Sequence, residues 1–175
     1  PGSLIFIGEK RVENVSIDLT DYTPQEITHT LNTSLSEIHA CKSSPTSSWI
    51  DVIGIHDPEV IKDLGEHFGI HILHQEDVMN IDQRPKCDDS ENGLYIVLQM
   101  LRYENGKISS EQVSLWLTDK CLLSFQEVPG DVFEPVRERL QNPQSKLRNR
   151  EVDYLAIALL DTIIDNYVHI LERFG

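Results

Sequence analysis

Short apolar runs typical of strands alternate with stretches of helical spacing in the first half of the chain. Residues 3–8 and 14–19 are apolar runs separated by a charged turn, and they predict the two strands of a hairpin. Residues 23–40 open with threonine, proline and glutamate at the spacing of a capping box, which predicts a helix. Residues 49–55 predict a buried strand, and residues 57–70 predict a helix after an Asp-Pro start.

Three apolar runs joined by tight turns dominate the middle of the chain. They cover residues 94–101, 111–118 and 121–127, and the turns contain Asn-Gly at 105–106 and Asp-Lys at 119–120. Asn-Gly between apolar runs is a strong signal for a hairpin. The pattern therefore predicts three strands in an antiparallel meander.

Two helices are predicted after the meander. The first covers residues 131–142, with Asp131 as its capping residue and Pro135 still within the first turn. The second runs from about residue 150 to 174, and its apolar positions are so widely spread that it should pack against more than one neighbour. Apart from terminal Gly175 no residue caps its end, so we expect this helix to continue in a longer protein.

These elements together predict one α/β/α sandwich with a mixed, mainly antiparallel sheet. Residues 1–148 are expected to form its core, and residues 149–175 to begin the long helix. A chain of 175 residues is long enough for one well-packed domain and too short for two of ordinary size.

The charge of the chain argues against nucleic acid and anionic membranes as partners. Twenty-nine acidic side chains against 15 basic ones give a formal net charge of −14, which repels phosphate groups. Such a surface either keeps the protein in solution or attracts cations and basic partners. The longest uninterrupted apolar run, residues 154–160, is far shorter than the roughly 18 to 20 residues of a membrane span. This part of the sequence is therefore not expected to cross a membrane.

The cysteines indicate neither a disulfide framework nor a zinc knuckle. Cys41, Cys87 and Cys121 are widely spaced, odd in number and without a C-x-x-C pair. A reducing compartment fits this usage best.

The last predicted helix carries an acidic stripe. Asp161, Asp165 and Glu172 fall within about 40° of one another on a helical wheel. Asp161 and Asp165 repel each other, and no lysine or arginine lies within one turn to offset this. Two interpretations stay open, a solvated acidic face and a hard-cation site that carboxylates from elsewhere complete.

Residues 71–89 concentrate histidines and carboxylates, and two metal chemistries are open to them. A hydrolytic zinc site would use His71 and His74 with Glu76 or Asp77, but the H-E-x-x-H frame is missing. Alternatively, the adjacent Glu76 and Asp77 are surface ligands for a hard cation.

A structural interpretation of the same stretch needs no metal. It predicts a single helical turn with the acidic residues near its N-terminus, where negative charge is favoured, and with packed or hydrogen-bonded histidines. For the histidines this interpretation is preferred. Arg84 and Lys86, on either side of Pro85, are then expected to pair with acidic side chains of the same domain.

Five segments, in order, resemble the cytoplasmic N-terminal domain of the CorA family of divalent-cation transporters. They are WIDVIGI, FGIHILHQEDVMNIDQRPKCDD, EQVSLWLTDKCLLSFQE, GDVFEPVRERL and DYLAIALLDTIID. The resemblance spans nearly the whole chain. One departure is Ile72, where the family pattern has proline, and this difference concerns only the local geometry of the turn.

The resemblance implies a homopentameric Mg²⁺ channel, also open to Co²⁺ or Ni²⁺ in many members, with a cytoplasmic funnel under the pore. It places this domain at the cytoplasmic face of the inner membrane, ahead of a stalk helix and two membrane helices. Those spans and the pore's Gly-Met-Asn motif are absent from this sequence, so the resemblance implies a chain that ends within the stalk helix. Isolated, the domain is expected to be soluble and at most weakly oligomeric.

The family's regulatory carboxylates carry over onto Glu76, Asp77 and Asp161, with Asp165 added from its place on the acidic stripe. We therefore expect a non-enzymatic Mg²⁺-sensing domain of a Mg²⁺/Co²⁺ transporter, gated by divalent ions bound between subunits. The alternatives are a zinc or nickel transporter of the same superfamily, a metal-dependent hydrolase using His71 and His74, and a scaffold that binds no metal. Ligand softness separates them, since a site of oxygen atoms alone selects Mg²⁺.

Overall fold

Seven strands form one mixed sheet in the computed structural model, which describes residues 4–173. The strands are β1 (Ser16–Tyr22), β2 (Ile27–Thr30), β3 (Ser47–Ile53), β4 (Lys86–Ser90), β5 (Gly93–Glu104), β6 (Lys107–Leu117) and β7 (Cys121–Gln126). Their order across the sheet is β2-β1-β3-β7-β6-β5-β4, and only the β3–β7 pair is parallel. The predicted mixed, mainly antiparallel sheet is confirmed.

Five helices cover the two faces of this sheet. They are α1 (Leu35–Cys41), α2 (Pro58–Phe68), α3 (Ile72–Met79), α4 (Glu134–Gln141) and α5 (Val152–Glu172). One core packs α1, α2 and α3 against one face, and a second core packs α4 and α5 against the other. The α/β/α sandwich is therefore confirmed. Ser3, in the predicted first strand, and Phe174 and Gly175, at the end of the predicted last helix, lie outside the described residues.

The hairpin predicted at the start of the chain is wrong. Residues 4–8 form no strand of the sheet, and Ile7 makes only an isolated parallel bridge with Asn80. Both edges of β1 are already occupied, because β2 and β3 pair with it. No position beside β1 is left for the N-terminal segment.

The helix predicted over residues 23–40 is wrong in its first half. The Thr23 hydroxyl oxygen does accept hydrogen bonds from the backbone N–H groups of Gln25 and Glu26. However, it does so in the turn of the β1–β2 hairpin and not at the start of a helix. The capping box instead joins Ser34 and Glu37 and starts α1. Threonine side chains cap turns as well as helices, and the β-branched residues of β2 favour a strand.

Other boundaries agree with the prediction or shift slightly. Asp57 caps α2, and the β5–β6 turn places Asn105 and Gly106 at positive φ, as its Asn-Gly sequence predicts. α4 begins three residues later than predicted, although Asp131 still accepts a hydrogen bond from the Phe133 N–H. β4 was not predicted, because its sequence KCDDS carries no apolar alternation.

α5 packs one side on the sheet and leaves a second apolar side exposed. It contacts α4 and strands β3, β5, β6 and β7 within the described residues. The exposed apolar side chains are Ile157, Ile164, Val168 and Leu171. By length and composition this 21-residue helix would suit a membrane span, and about a third of its most apolar part is buried, against the sheet and α4.

Gly65 brings α2 and α3 into close contact. A Cβ atom at this position would overlap the side-chain amide of Gln75, which is buried and donates a hydrogen bond to the Ile70 carbonyl over 2.8 Å. Because Gln75 directly precedes Glu76 and Asp77, this contact fixes the orientation of the helix that carries them.

A buried carboxylate lies under α4. The Asp51 side chain accepts hydrogen bonds from Ser124 at 2.6 Å and Gln126 at 2.8 Å, and Arg137 joins it to Asp131. Burial, together with the nearby Asp131 charge, raises the pKa of Asp51 to about 6. The guanidinium of Arg137 therefore offsets only part of the cost of burying the Asp51 carboxylate.

The Asp51→Asn variant tests this electrostatic cost. A carboxyl whose pKa is higher in the folded than in the unfolded chain stabilises the fold fully below the unfolded pKa, about 3.9, and loses that contribution as pH rises through about 6. The wild-type free energy of unfolding should fall relative to that of Asp51→Asn between pH 4 and 6, by up to about 3 kcal/mol. Urea unfolding at stepped pH measures this. Asp119→Asn, at an exposed turn, is the control, and parallel curves for wild type and Asp51→Asn would contradict the assignment.

The Gly65→Ala variant tests the α2–α3 contact. Alanine in place of glycine normally stabilises a helix by roughly 1 kcal/mol. Here the added methyl group must displace Gln75, so we expect a loss of about 1–3 kcal/mol in thermal or urea unfolding. The loss of stability caused by Gly65→Ala should be smaller when it is measured in a protein that already carries Gln75→Ala. An unchanged loss in that background would show that Gln75 is not the obstacle.

Candidate metal site

The carboxylates Glu76 and Asp77 lie in the last turn of α3. This helix begins after His71, whose ring Nδ1 accepts a hydrogen bond from the Leu73 N–H over 3.3 Å. The predicted single turn with acidic residues near its N-terminus is wrong, because α3 has eight residues and His71 provides the N-terminal cap. Ile72 occupies the first helical position of α3, which is also a position that proline favours.

Asp77 pairs with a lysine of the same chain. The Lys86 Nζ atom lies 2.6 Å from Asp77 Oδ2 and 3.4 Å from Asp88 Oδ2, and it sits over the Tyr95 ring. The hydrogen bond with Asp77 raises the pKa of Lys86. The internal charge partner predicted for Lys86 is confirmed, whereas Arg84 is exposed and has no ion pair within residues 4–173.

The two histidines have the structural roles expected of them. His74 stacks on Tyr95 with ring centroids 4.4 Å apart, and burial lowers the pKa of His74, so the ring is neutral at physiological pH. Its Nε2 atom lies 3.7 Å from Asp88. His71 is exposed and caps α3. The ring centroids of His71 and His74 are 6.2 Å apart.

Glu76, Asp161 and Asp165 have no counter-ion in the part of the chain that the structure describes. None of the three forms an ion pair or side-chain hydrogen bond within residues 4–173, and Asp161 and Asp165 are exposed on α5. Oxygen atoms of free carboxylates are the donors that Mg²⁺ and Ca²⁺ prefer. These residues therefore match a hard divalent cation in chemical type.

The structure does not bring the predicted ligands together in one chain. α3 packs on one face of the sheet and α5 on the other, so Glu76 and Asp77 are separated from Asp161 and Asp165 by the sheet. Among the described residues, no three His, Cys, Asp or Glu side chains are grouped to hold a metal ion. The metal ligands thus stay predictions.

Sequence reasoning missed Asp88 and the direct contact of Lys86 with Asp77. Lys86 and Asp88 belong to β4, where they alternate with more exposed neighbours and share one face of the strand. The sequence did contain a signal for the β4–β5 hairpin. Glu91-Asn92 is a polar two-residue turn before an apolar run, and it joins the paired residues Ser90 and Gly93. With β4 recognised, its register with β5 would have placed Lys86 and Asp88 on one face at the edge of the sheet.

Comparison with known proteins identifies the family. A model of the family described as CorA-like Mg²⁺ transporter protein matches residues 45–174. The Cobalt/magnesium transport protein CorA of Thermotoga maritima is 41% identical over 175 residues, which is 99% of this chain and 50% of that protein. The chain therefore spans about half the length of this relative.

Two solved structures from Methanocaldococcus jannaschii share the fold. The soluble domain of CorA superposes with a TM-score of 0.65 at 16% identity, covering 90% of this chain and 59% of that one. The complete CorA magnesium transporter superposes with a TM-score of 0.66 at 14% identity, covering 90% and 47%. With a family model that matches most of its residues and a relative that matches nearly all of them, this chain belongs to the CorA-like Mg²⁺ transporter family.

Proposed function

We propose that this chain is the cytoplasmic Mg²⁺-sensing domain of a CorA-like Mg²⁺/Co²⁺ transporter, in which divalent ions between neighbouring subunits of a homopentamer control the gate. In this proposal the domain lies at the cytoplasmic face of the inner membrane, binds Mg²⁺ or another divalent cation and catalyses no reaction. The observation that carries it is a set of carboxylates, Glu76, Asp161 and Asp165, that have no counter-ion among the described residues of a chain of formal net charge −14.

The separation of these carboxylates favours a site shared between subunits. Because α3 and α5 lie on opposite faces of the sheet, a single ion cannot contact both helices of one chain. A neighbouring subunit that presents α5 next to α3 would supply the missing oxygen atoms. Mg²⁺ needs only one or two carboxylates besides its water ligands, so few residues from each subunit suffice.

Electrostatic repulsion explains how such a site would act as a sensor. Carboxylates facing each other across an interface repel unless a divalent ion lies between them. When internal Mg²⁺ is plentiful, bridging ions hold the subunits together and the pore stays closed. As internal Mg²⁺ falls, the ions leave, the acidic surfaces separate and the gate opens.

Mg²⁺ flux through the complete transporter in liposomes tests this feedback. Removing both carboxylates with Asp77→Ala and Asp161→Ala should raise the internal Mg²⁺ concentration for half-maximal closure by at least about tenfold, because each change deletes an oxygen ligand. The control is Asp119→Ala with Glu138→Ala, which removes the same charge from exposed positions. Unchanged closure in the first double variant, or an equal shift in the control, would contradict the proposed site.

The identity of the bound ion provides a second test. Calorimetric titration of the transporter should show millimolar Mg²⁺ binding that Asp77→Ala and Asp161→Ala each weaken, since hard oxygen ligands select Mg²⁺. Replacing His71 and His74 by alanine should leave Mg²⁺ binding intact, because these rings cap and stack. Tight Zn²⁺ or Ni²⁺ binding that the histidine changes abolish would favour a zinc or nickel transporter instead.

A further inference from the structure

Lys86 contacts one of the two carboxylate oxygens of Asp77. Its ammonium group lies 2.6 Å from Asp77 Oδ2, and both side chains are partly shielded, with 32% and 19% of their surfaces exposed. A lysine paired in this setting is held more firmly than one at a fully exposed surface, where ion pairs contribute little. Asp77 thus differs from Glu76 and Asp161, which have no cation beside them within residues 4–173.

An ammonium group and Mg²⁺ cannot both lie against the same carboxylate oxygen without strong repulsion. Metal binding at Oδ2 of Asp77 therefore requires Lys86 to move, and an ion at Oδ1 would be repelled by the ammonium group on the same carboxylate. The nearby Asp88 gives it a place to move to, because its Oδ2 atom is already 3.4 Å from Nζ and it lies on the same face of β4. A rotation of the lysine side chain is enough to transfer the ion pair.

The other charged groups around Asp77 do not take over the role of Lys86. The His74 ring is packed against Tyr95, and its Nε2 atom faces Asp88 at 3.7 Å. Arg84 is exposed and forms no ion pair in the described part of the chain. Within residues 4–173, Lys86 is therefore the cation that pairs with Asp77.

We propose that Lys86 is an internal counter-ion that competes with Mg²⁺ for Asp77 and so sets the Mg²⁺ concentration at which the sensor fills. This inference rests on the proposed function, since it assumes that Asp77 is a ligand of the regulatory ion. Without the ion Lys86 pairs with Asp77 and so weakens Mg²⁺ binding, and on metal binding it transfers to Asp88.

Calorimetric Mg²⁺ titration of the complete transporter in detergent tests the competition. Lys86→Met and Lys86→Gln remove the charge and should each tighten Mg²⁺ binding by about fivefold. Lys86→Arg keeps the charge and should stay within about twofold of wild type. The matched control is Lys120→Met, which breaks the exposed ion pair of Lys120 with Glu151, 2.9 Å long, and should also stay within about twofold.

The outcomes separate this inference from the function on which it rests. If Asp77→Asn weakens Mg²⁺ binding but neither neutral variant of Lys86 tightens it, the competition is wrong and the sensor stands. Tightening by Lys86→Arg as well, or an equal effect of Lys120→Met, would also overturn the competition. If Asp77→Asn leaves Mg²⁺ binding unchanged, the proposed sensor fails and the role of Lys86 fails with it.

Discussion

The burial of β3 and β7 on both faces is the constraint on which the rest of the structure depends. These two strands form the parallel pair at the centre of the sheet, and nearly all of their side chains are buried. Two apolar faces require two layers of helices, and the chain supplies α1 to α3 for one and α4 and α5 for the other. The separation of the acidic residues of α3 from those of α5 follows directly from this arrangement.

One ionisable group, the Asp51 carboxylate, is buried in these central strands at a cost in stability. Asp51 stands in β3 between buried apolar neighbours, and its carboxylate is compensated by Ser124, Gln126 and Arg137. This network connects β3, β7 and α4, so it specifies how the helix sits on the sheet as well as neutralising the charge. A buried ionic network contributes little net stability compared with apolar packing, so the main effect of this one is to fix the position of α4.

Elements with strong apolar periodicity were predictable, and elements defined by polar residues were not. α2, α5 and the meander of β5, β6 and β7 carry the apolar patterns that the sequence shows directly. β2 was mistaken for a helix because Thr23 and Pro24 suit a turn as well as a helix start. β4 has no apolar face, so only its partner β5 reveals it. In the candidate site, the residue types of Glu76, Asp77, Asp161 and Asp165 were visible in the sequence, but the Lys86–Asp77 contact depends on the register of β4 with β5.

The polarity that concealed β4 also has a consequence for the association of whole molecules. β4 and β2 are the two edges of the sheet, and they are only five and four residues long. An open edge presents unpaired N–H and C=O groups on which strands of other molecules can add, and short, charged strands are a common defence. With Lys86, Asp88 and Asp89 along it, β4 makes such an addition unfavourable. The β4 edge of the domain is thereby protected from strand addition and from the aggregation that would follow.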